Sequence, residues 1–284
     1  MSKAVIESVA DAVAAAANRL RAAGIDAPRR EAERLWAALR GPARGPAFLA
    51  RDTPLAEDAR TAYLGAVERR LAGEPLAYIA GWCGFRMLDL KVDRRALIPR
   101  PETEGLVELL LSRVSTGVAV DVGTGTGCIA LSLLDEAGFD HVIAIDRSAE
   151  ALALARENAA LTGKAPRFVR GDLTSALPAD ACDALVSNPP YLTDAELAEL
   201  DRGVRDWEPA LALASGPDGM RATDALLEDG LRVVRPGGWI ALELDATRAR
   251  RAAAHAATAG WNDIVLAHDL FGRERYLLAR RSDA

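Results

Sequence analysis

Short apolar runs that alternate with helical stretches fill the second part of the sequence and restrict it to few folds. The runs cover residues 118–122, 142–145, 168–169, 184–186, 239–244, 264–266 and 276–278. Strands that alternate with helices predict parallel βαβ units and an α/β fold. Only a short loop around Phe271 separates the last two runs, so the final strand is predicted to be antiparallel to its neighbours.

The front of the sequence has a different character. Residues 5–71 are rich in Ala, Leu, Arg and Glu and lack β-branched runs, which predicts a small helical bundle. Its helices are expected to run through Leu20, over 28–39 and over 54–71, with breaks at 24–28 and 41–46. From residue 76 onward, glycines and aromatic residues indicate a β-hairpin or an irregular connector. The predicted domains are therefore a helical domain over 1–75, a hairpin linker over 76–97 and an α/β domain over 98–284.

Composition and charge exclude several classes of protein. No stretch reaches the roughly 18 apolar residues of a membrane span, and charged residues interrupt the first thirty positions, so a cytoplasmic protein is expected. The three cysteines are not grouped with His at metal-ligand spacing, which predicts buried thiols and neither a disulfide framework nor a metal site. The net charge of −6 argues against a protein that binds by neutralising nucleic-acid phosphates.

A glycine-rich segment follows the first apolar run and leads into a helical stretch. It reads Asp121, Val122, Gly123, Thr124, Gly125, Thr126, Gly127. Glycines let a backbone turn sharply and approach a ligand, and the following helix N-terminus attracts a phosphate or a carboxylate. The spacing G-x-G-x-G, with an acid two residues before the first glycine, is typical of methyltransferases. A nicotinamide-binding or purely structural loop is the alternative.

Acidic residues also end the next two predicted strands. Asp146 can accept hydrogen bonds from ribose hydroxyls, and Asp172 with Leu173 can meet an adenine amino group and ring face. Together with Asp121, these acids at one edge of a parallel sheet predict an adenosine-shaped slot. For Asp172, capping a turn is the alternative.

The sequence Asn188, Pro189, Pro190, Tyr191 follows the fourth predicted strand. The side-chain oxygen of Asn188 and the carbonyl of Pro189 can each accept one N–H of a planar NH2 group, which directs the nitrogen lone pair at an incoming methyl group. The prolines stiffen these acceptors, and Tyr191 offers a flat face for packing and for stabilising positive charge. A simple turn that begins at Asn is the alternative.

With these residues, the sequence closely resembles the bacterial release factor glutamine methyltransferases, the PrmC/HemK family. The resemblance covers nearly the whole chain and includes the segments 73–76, 97–104, 204–209 and 269–275. It implies a Rossmann-like, seven-stranded class I methyltransferase domain behind a helical N-terminal domain and a β-hairpin linker. The sequence departs from the family pattern at Gly84 and over 245–248.

The resemblance also implies partners and site residues. The cofactor is expected to be S-adenosyl-L-methionine, converted to S-adenosyl-L-homocysteine and held by 123–127, Asp146, Leu173 and Asn188. The expected substrate is the glutamine of the Gly-Gly-Gln motif in class I peptide chain release factors, lying against 188–191, and a monomeric enzyme is expected. Arg100 and Glu102 are predicted to shape the substrate pocket, or alternatively to form an ion pair that holds the linker.

Two other functions fit parts of the pattern. An N6-adenine methyltransferase solves the same planar-nitrogen problem with a similar motif, but the acidic balance and the lack of a basic recognition segment oppose it. A non-catalytic protein that keeps the cofactor slot is the third reading, and intact Asn188 and Tyr191 count against it.

Overall fold

The computed structural model describes residues 8–41 and 53–283. Its helices are α1 (Val9–Ala22), α2 (Pro28–Ala38), α3 (Glu57–Leu71), α4 (Leu76–Ala80), α5 (Pro101–Leu111), α6 (Cys128–Glu136), α7 (Ala149–Thr162), α8 (Asp194–Glu199), α9 (Arg202–Arg205), α10 (Arg221–Val233) and α11 (Ala249–Ala259). Its strands are β1 (Trp82–Phe85), β2 (Leu88–Lys91), β3 (Thr116–Val122), β4 (Gly138–Asp146), β5 (Arg167–Arg170), β6 (Cys182–Ser187), β7 (Val234–Glu243), β8 (Asn262–His268) and β9 (Glu274–Arg280).

The chain forms two compact units. One contains Met1–Cys83 and Arg202–Trp207, and the other contains Gly84–Asp201 and Glu208–Ala284. The division falls inside β1, which pairs with β2 in a two-stranded sheet. The linker predicted over 76–97 thus contains this hairpin and also the helix α4, whose five residues are too few to show a helical period in the sequence.

The first unit is helical, as its composition predicts. Apolar side chains of α1, α2 and α3 form one core, in which the ring of Trp36 meets that of Tyr63 edge-on and the Tyr63 hydroxyl donates to the Ala32 carbonyl (2.8 Å). Helix α2 begins at Pro28 as predicted, whereas α3 begins at Glu57 rather than at residue 54, because the residue before it is extended. Most of the predicted break over 41–46 lies outside the described residues.

The second unit contains a seven-stranded sheet in the order β5-β4-β3-β6-β7-β9-β8. Strands β3 to β7 are parallel, and β9 pairs antiparallel with both β7 and β8. The α/β fold and the antiparallel last strand are therefore confirmed. The seven predicted runs lie within these strands except for Leu244, since β7 begins at Val234 and ends at Glu243.

The strand order determines where a ligand can reach the sheet. The chain runs outward from β3 through β4 to β5 and then returns to place β6 on the other side of β3. Such a reversal opens a crevice at the carboxyl ends of the strands. Val122 pairs with Ser187, and Ser187 pairs with Leu242, so β3, β6 and β7 end at the same edge.

Two apolar clusters, around Leu185 and around Leu131, stabilise this sheet. Among residues 8–41 and 53–283, no helix is long and apolar enough to span a membrane. Within the same ranges, no group of His, Cys, Asp and Glu side chains could hold a metal ion. Cys182 is buried as predicted, whereas Cys83 in β1 and Cys128 at the start of α6 are only partly buried, which corrects the expectation of three buried thiols.

Candidate active site

A cavity of about 470 Å³ opens at the carboxyl edge of the sheet. This volume lies in the range that small-molecule and cofactor sites occupy, about 300 to 1,000 Å³. Among the predicted site residues, those that line it are Gly123, Gly125, Asp146, Asp172, Leu173, Asn188 and Pro190. The structure thus brings the glycine-rich loop, two of the acids and the start of the Asn-Pro-Pro-Tyr segment to one cavity.

The glycine-rich loop is held by backbone hydrogen bonds. The amides of Gly123 and Thr124 both donate to the carbonyl of Ile145 (2.9 Å), the residue before the end of β4. Gly123, Gly125 and Gly127 all have positive φ angles of 57° to 85°, which side chains rarely adopt. The backbone therefore turns three times within five residues, which brings the loop to the cavity wall.

Asp121 lies beneath this loop and is fully buried. Its Oδ2 accepts hydrogen bonds from the Thr124 hydroxyl (2.6 Å) and the Ala130 amide (3.1 Å). Burial raises the pKa of Asp121 to about 7, although these two hydrogen bonds oppose the shift. In the described part of the chain, the side chain of Asp121 is not part of the cavity wall, and its contacts hold the loop against α6. The predicted residues Thr124 and Thr126 are likewise buried outside that wall.

Asp146 ends β4 at the cavity, as predicted. Its carboxylate accepts hydrogen bonds from the backbone amides of Gly125 (Oδ2, 3.0 Å) and Ser148 (Oδ1, 2.8 Å). Burial raises the pKa of this carboxyl in spite of both bonds. Each oxygen keeps a further lone pair, so the carboxylate can also accept from ligand hydroxyls.

Asp172 and Leu173 form the next part of the wall. Strand β5 ends at Arg170, so the two residues lie in the turn after it, where the Asp172 carbonyl accepts from the Ser175 amide (3.1 Å). Leu173 has a φ angle of +49°, which is unusual for a residue with a side chain. Residues held in such conformations cluster at ligand sites, where surrounding structure fixes them.

The Asn188–Tyr191 segment begins directly after β6. Ser187, the last residue of that strand, donates from its hydroxyl to the Val122 carbonyl (2.7 Å), which ties the ends of β6 and β3 together. The Nδ2 of Asn188 donates to the hydroxyl of Thr103 (3.1 Å). Tyr191 is half-buried, and burial raises the pKa of its hydroxyl, with the nearby carboxyl of Glu243 adding to the shift.

Two polar residues near this segment were not singled out in the sequence. Thr103 lies in the first turn of α5, and Glu243 is the last residue of β7; both are buried. The Thr103 hydroxyl donates to Glu243 Oε2 (2.7 Å). Glu243 carries the same signal that identified Asp121 and Asp146, an acid at the end of a parallel strand. Thr103 lies in the 97–104 segment of the family resemblance, but the sequence assigned it no role.

Arg100 and Glu102 do not form the ion pair that the sequence left open. The guanidinium of Arg100 lies 2.7 Å from the carboxylate of buried Glu208, which also accepts from the amide of Ile98 (3.2 Å). Glu102 instead lies 3.9 Å from Arg273, because the first turn of α5 directs the two side chains to different neighbours. Within the described residues, neither side chain is part of the cavity wall.

The class of protein follows from fold and site together. A methyltransferase from Pyrococcus furiosus superposes with a TM-score of 0.51, covering 69% of this chain and 89% of that chain at 19% identity, which shows a shared fold. Residues 101–201, which contain the glycine-rich loop and Asn188, match the family described as the methyltransferase small domain. The chain thus has the Rossmann-like sheet and the domain match of a methyltransferase.

The particular family follows from the full length of the chain. Residues 11–81 match the family described as the PrmC N-terminal domain. The release factor glutamine methyltransferases of Cereibacter sphaeroides and Deinococcus radiodurans are 42% and 41% identical, over 95% and 96% of this chain and 98% of each relative. The chain belongs to the release factor glutamine methyltransferase family.

Proposed function

We propose that this enzyme transfers a methyl group from S-adenosyl-L-methionine to the side-chain amide nitrogen (N5) of the glutamine in the Gly-Gly-Gln motif of class I peptide chain release factors. The observation that carries the proposal is the position of Asn188 on the same cavity wall as Asp146. An acceptor-orienting amide and a ribose-binding carboxylate at one cavity fit transfer between a nucleoside cofactor and a planar amide. Membership of the family supports the substrate.

The residues of the cavity fit the chemistry of the cofactor. Asp146 and Asp172 supply carboxylates for hydroxyl and amino donors, and Leu173 with Ala96 and Leu97 supplies apolar surface for an adenine ring. Asp121, Gly123, Thr124, Gly125, Thr126 and Gly127 form or support the loop that receives the amino-acid end. When bound, S-adenosyl-L-methionine supplies a methyl group on a positively charged sulfur and leaves as S-adenosyl-L-homocysteine.

The chain's own residues prepare the acceptor nitrogen. The lone pair of an amide nitrogen is delocalised into its carbonyl, so an unassisted amide is a poor nucleophile. The Oδ1 of Asn188 and the carbonyl of Pro189 each accept one N–H of the glutamine amide, which holds the nitrogen and directs its remaining electron pair at the methyl group. Pro190 fixes the backbone of these acceptors, and the ring of Tyr191 packs against the amide and stabilises the developing cation. Water takes the released proton.

The remaining residues and domains are proposed to serve the protein substrate. The helical domain over 1–75 recognises the release factor, with the 76–97 hairpin as its linker to the 98–284 catalytic domain. Arg100 and Glu102 shape the surface near the substrate glutamine, Arg100 through its ion pair with Glu208. We place the enzyme in the cytoplasm as a monomer, where release factors act in translation termination.

The experiment that tests the proposal is incubation with methyl-labelled S-adenosyl-L-methionine and a purified class I release factor. A matched release factor in which Gly-Gly-Gln is changed to Gly-Gly-Ala and a mixture of DNA and RNA serve as controls. Label in the intact factor alone is the expected result. Label in the Gly-Gly-Ala factor would refute the acceptor residue.

Two other outcomes separate the competing functions. Label in nucleic acid alone would make the enzyme an amino methyltransferase of DNA or RNA and would overturn the proposal. Cofactor binding without label in any substrate would point to a protein that keeps the slot without transfer.

A further inference from the structure

A chain of two side-chain hydrogen bonds leads from the cavity into the protein interior. Asn188 Nδ2 lies 3.1 Å from the hydroxyl of Thr103, and that hydroxyl lies 2.7 Å from Glu243 Oε2. Thr103 is 2% exposed and Glu243 is 1% exposed, so water does not compete for the bond between these two. Only Asn188 of the three lines the cavity described above. We call Asn188, Thr103 and Glu243 the amide relay.

The number of hydrogens on each group fixes which group donates and which accepts in the relay. An ionised carboxylate can only accept hydrogen bonds, and a threonine hydroxyl has a single hydrogen to donate. Thr103 therefore donates to Glu243 and can only accept from Asn188. The NH2 group of Asn188 must face Thr103, which leaves its Oδ1 available on the other side.

Neighbouring charges hold the carboxylate of Glu243. The Nη1 of Arg275 lies 3.9 Å from Glu243 Oε1, and its Nε is bonded to Asp269 Oδ2 (3.0 Å). Burial raises the pKa of Asp269, but the hydrogen bonds from Arg273 and Arg275 lower it by more. The net pKa lies below the usual range, so Asp269 keeps its charge. Burial raises the pKa of Glu243 to about 7, against the hydrogen bond from Thr103 and the positive charge of Arg275, so the relay has its ionised form above that pH.

The direction of the relay matters for the substrate. A glutamine amide presents two N–H donors, so it needs acceptors opposite its nitrogen. If the Asn188 amide were reversed, its own NH2 would meet these donors, and one polar group would remain without a hydrogen-bond partner. A lone asparagine in a solvated turn has no such preference for one orientation.

Building on the proposed function, we propose that Thr103 and Glu243 are positioning residues, which hold the amide of Asn188 with its Oδ1 directed at the reacting nitrogen of the substrate. Neither residue touches the substrate. They act through Asn188, because the relay fixes which end of its amide the cavity receives.

The test compares Thr103→Val with Thr103→Ser at pH 8, above the pKa of about 7 of Glu243. Valine keeps the shape of threonine but removes the hydroxyl, whereas serine keeps it. We expect Thr103→Val to lower kcat for release-factor methylation by about tenfold to hundredfold, less than the loss of an oriented group that itself contacts the substrate. The Kd for S-adenosyl-L-methionine, measured by calorimetry, should stay within about twofold of wild type, and Thr103→Ser should keep most of the activity.

A double-mutant cycle distinguishes positioning from a general structural role. If Thr103 acts through Asn188, Thr103→Val should cause no further loss of kcat in the Asn188→Ala background. Losses that multiply, or a Thr103→Val enzyme as active as wild type, would overturn the inference. If Thr103→Val were poorly folded, Glu243→Gln would replace it in the same cycle, since it keeps the shape of the side chain and removes the charge that sets the direction.

The wild-type enzyme separates this inference from the proposed function. If wild type labels the release factor and the cycle is additive, only the role of Thr103 and Glu243 is lost. If wild type leaves the release factor unlabelled, the proposed function is lost and the inference with it.

Discussion

The two sides of the cavity are built by different means. On the cofactor side, backbone amides hold the loop: those of Gly123 and Thr124 bind the Ile145 carbonyl, and that of Gly125 binds Asp146. On the acceptor side, side chains hold side chains, through the relay from Asn188 to Glu243. A loop held by its backbone depends on the conformational freedom of its glycines, whereas a relay depends on each hydroxyl and carboxyl in it. Single substitutions should therefore separate binding from transfer.

The largest expected effect is on the acceptor side. Asn188→Ala removes the proposed acceptor oxygen, and we expect kcat to fall by about 10²- to 10³-fold, as for the loss of one oriented group in an oxyanion hole. The Kd for S-adenosyl-L-methionine should stay largely unchanged. Single-turnover methylation and calorimetry measure the two quantities, and unchanged turnover would rule out the proposed mechanism.

The opposite pattern is expected on the cofactor side. Asp146→Ala removes a carboxylate that accepts from Gly125 and Ser148 and is proposed to bind the ribose hydroxyls. Losing hydrogen bonds to a charged group costs about 1.5 to 3 kcal/mol, so the Kd for S-adenosyl-L-methionine should rise by about tenfold to hundredfold. At saturating cofactor, kcat should recover.

Asp146→Asn is the matched control for this variant. Its amide keeps one acceptor oxygen and nearly the same shape, so the rise in Kd should be smaller than for alanine. A drop in kcat at saturating cofactor, with Kd unchanged, would remove the distinction between the two sides.

A third substitution tests the backbone behind the acceptor segment. Gly219 has a φ angle of +72°, and a Cβ there would overlap the backbone carbonyl of Tyr191. Gly219→Ala should lower the free energy of unfolding by about 1 to 3 kcal/mol, from the strained backbone and the displaced carbonyl together. Thermal unfolding checks the stability, and kcat should fall because Tyr191 moves.

Gly163 provides the control for Gly219. It has a similar φ angle of +69° at the end of α7, but no atom of the described residues lies within 4 Å of an added Cβ. Gly163→Ala should show the backbone cost alone and leave kcat unchanged. Equal effects of the two substitutions on kcat would contradict the role of the Tyr191 carbonyl.

The smallest expected effect is a change in the free energy of unfolding with pH. Burial raises the pKa of Glu243 to about 7 from 4.5, against the opposing influence of Thr103 and Arg275. Because the folded state favours the protonated form, the contribution of Glu243 to stability is full below pH 4.5 and is lost as pH rises through about 7.

Glu243→Gln removes this titration. Between pH 5 and pH 8, wild type should lose at least ~1 kcal/mol more free energy of unfolding than the variant, given that one pKa unit corresponds to about 1.4 kcal/mol. Denaturant unfolding at the two pH values measures the difference. Parallel losses in both proteins would show that Glu243 stays ionised throughout.

The contrast between the two sides of the cavity also explains how much of the fold and of the site could be predicted from the sequence. The glycine-rich loop and Asp146 were found because their signals are local: glycines within five positions and an acid at the end of an apolar run. The strands and the antiparallel end of the sheet were found for the same reason. Thr103 was missed because its partners, Asn188 and Glu243, are 85 and 140 residues away along the chain, and no short pattern encodes such contacts.

The ion pair of Arg100 shows the same limit. The sequence left open an ion pair between Arg100 and Glu102, but the partner of Arg100 is Glu208. Closeness along the chain was therefore a poor guide to this ion pair, whereas the predicted end of β4 placed Asp146 at the cavity.

The Arg202–Trp207 segment affects when the first unit can fold during synthesis. It belongs to the same compact unit as Met1–Cys83, although most of the second unit's sheet is encoded between them. The indole nitrogen of Trp207 lies near Gly73, 3.7 Å from where a Cβ would be. During synthesis, the first unit cannot be complete until Trp207 has left the ribosome. A chain cut after Cys83 would lack this piece, so binding studies of the isolated helical unit should supply the 202–207 peptide as well.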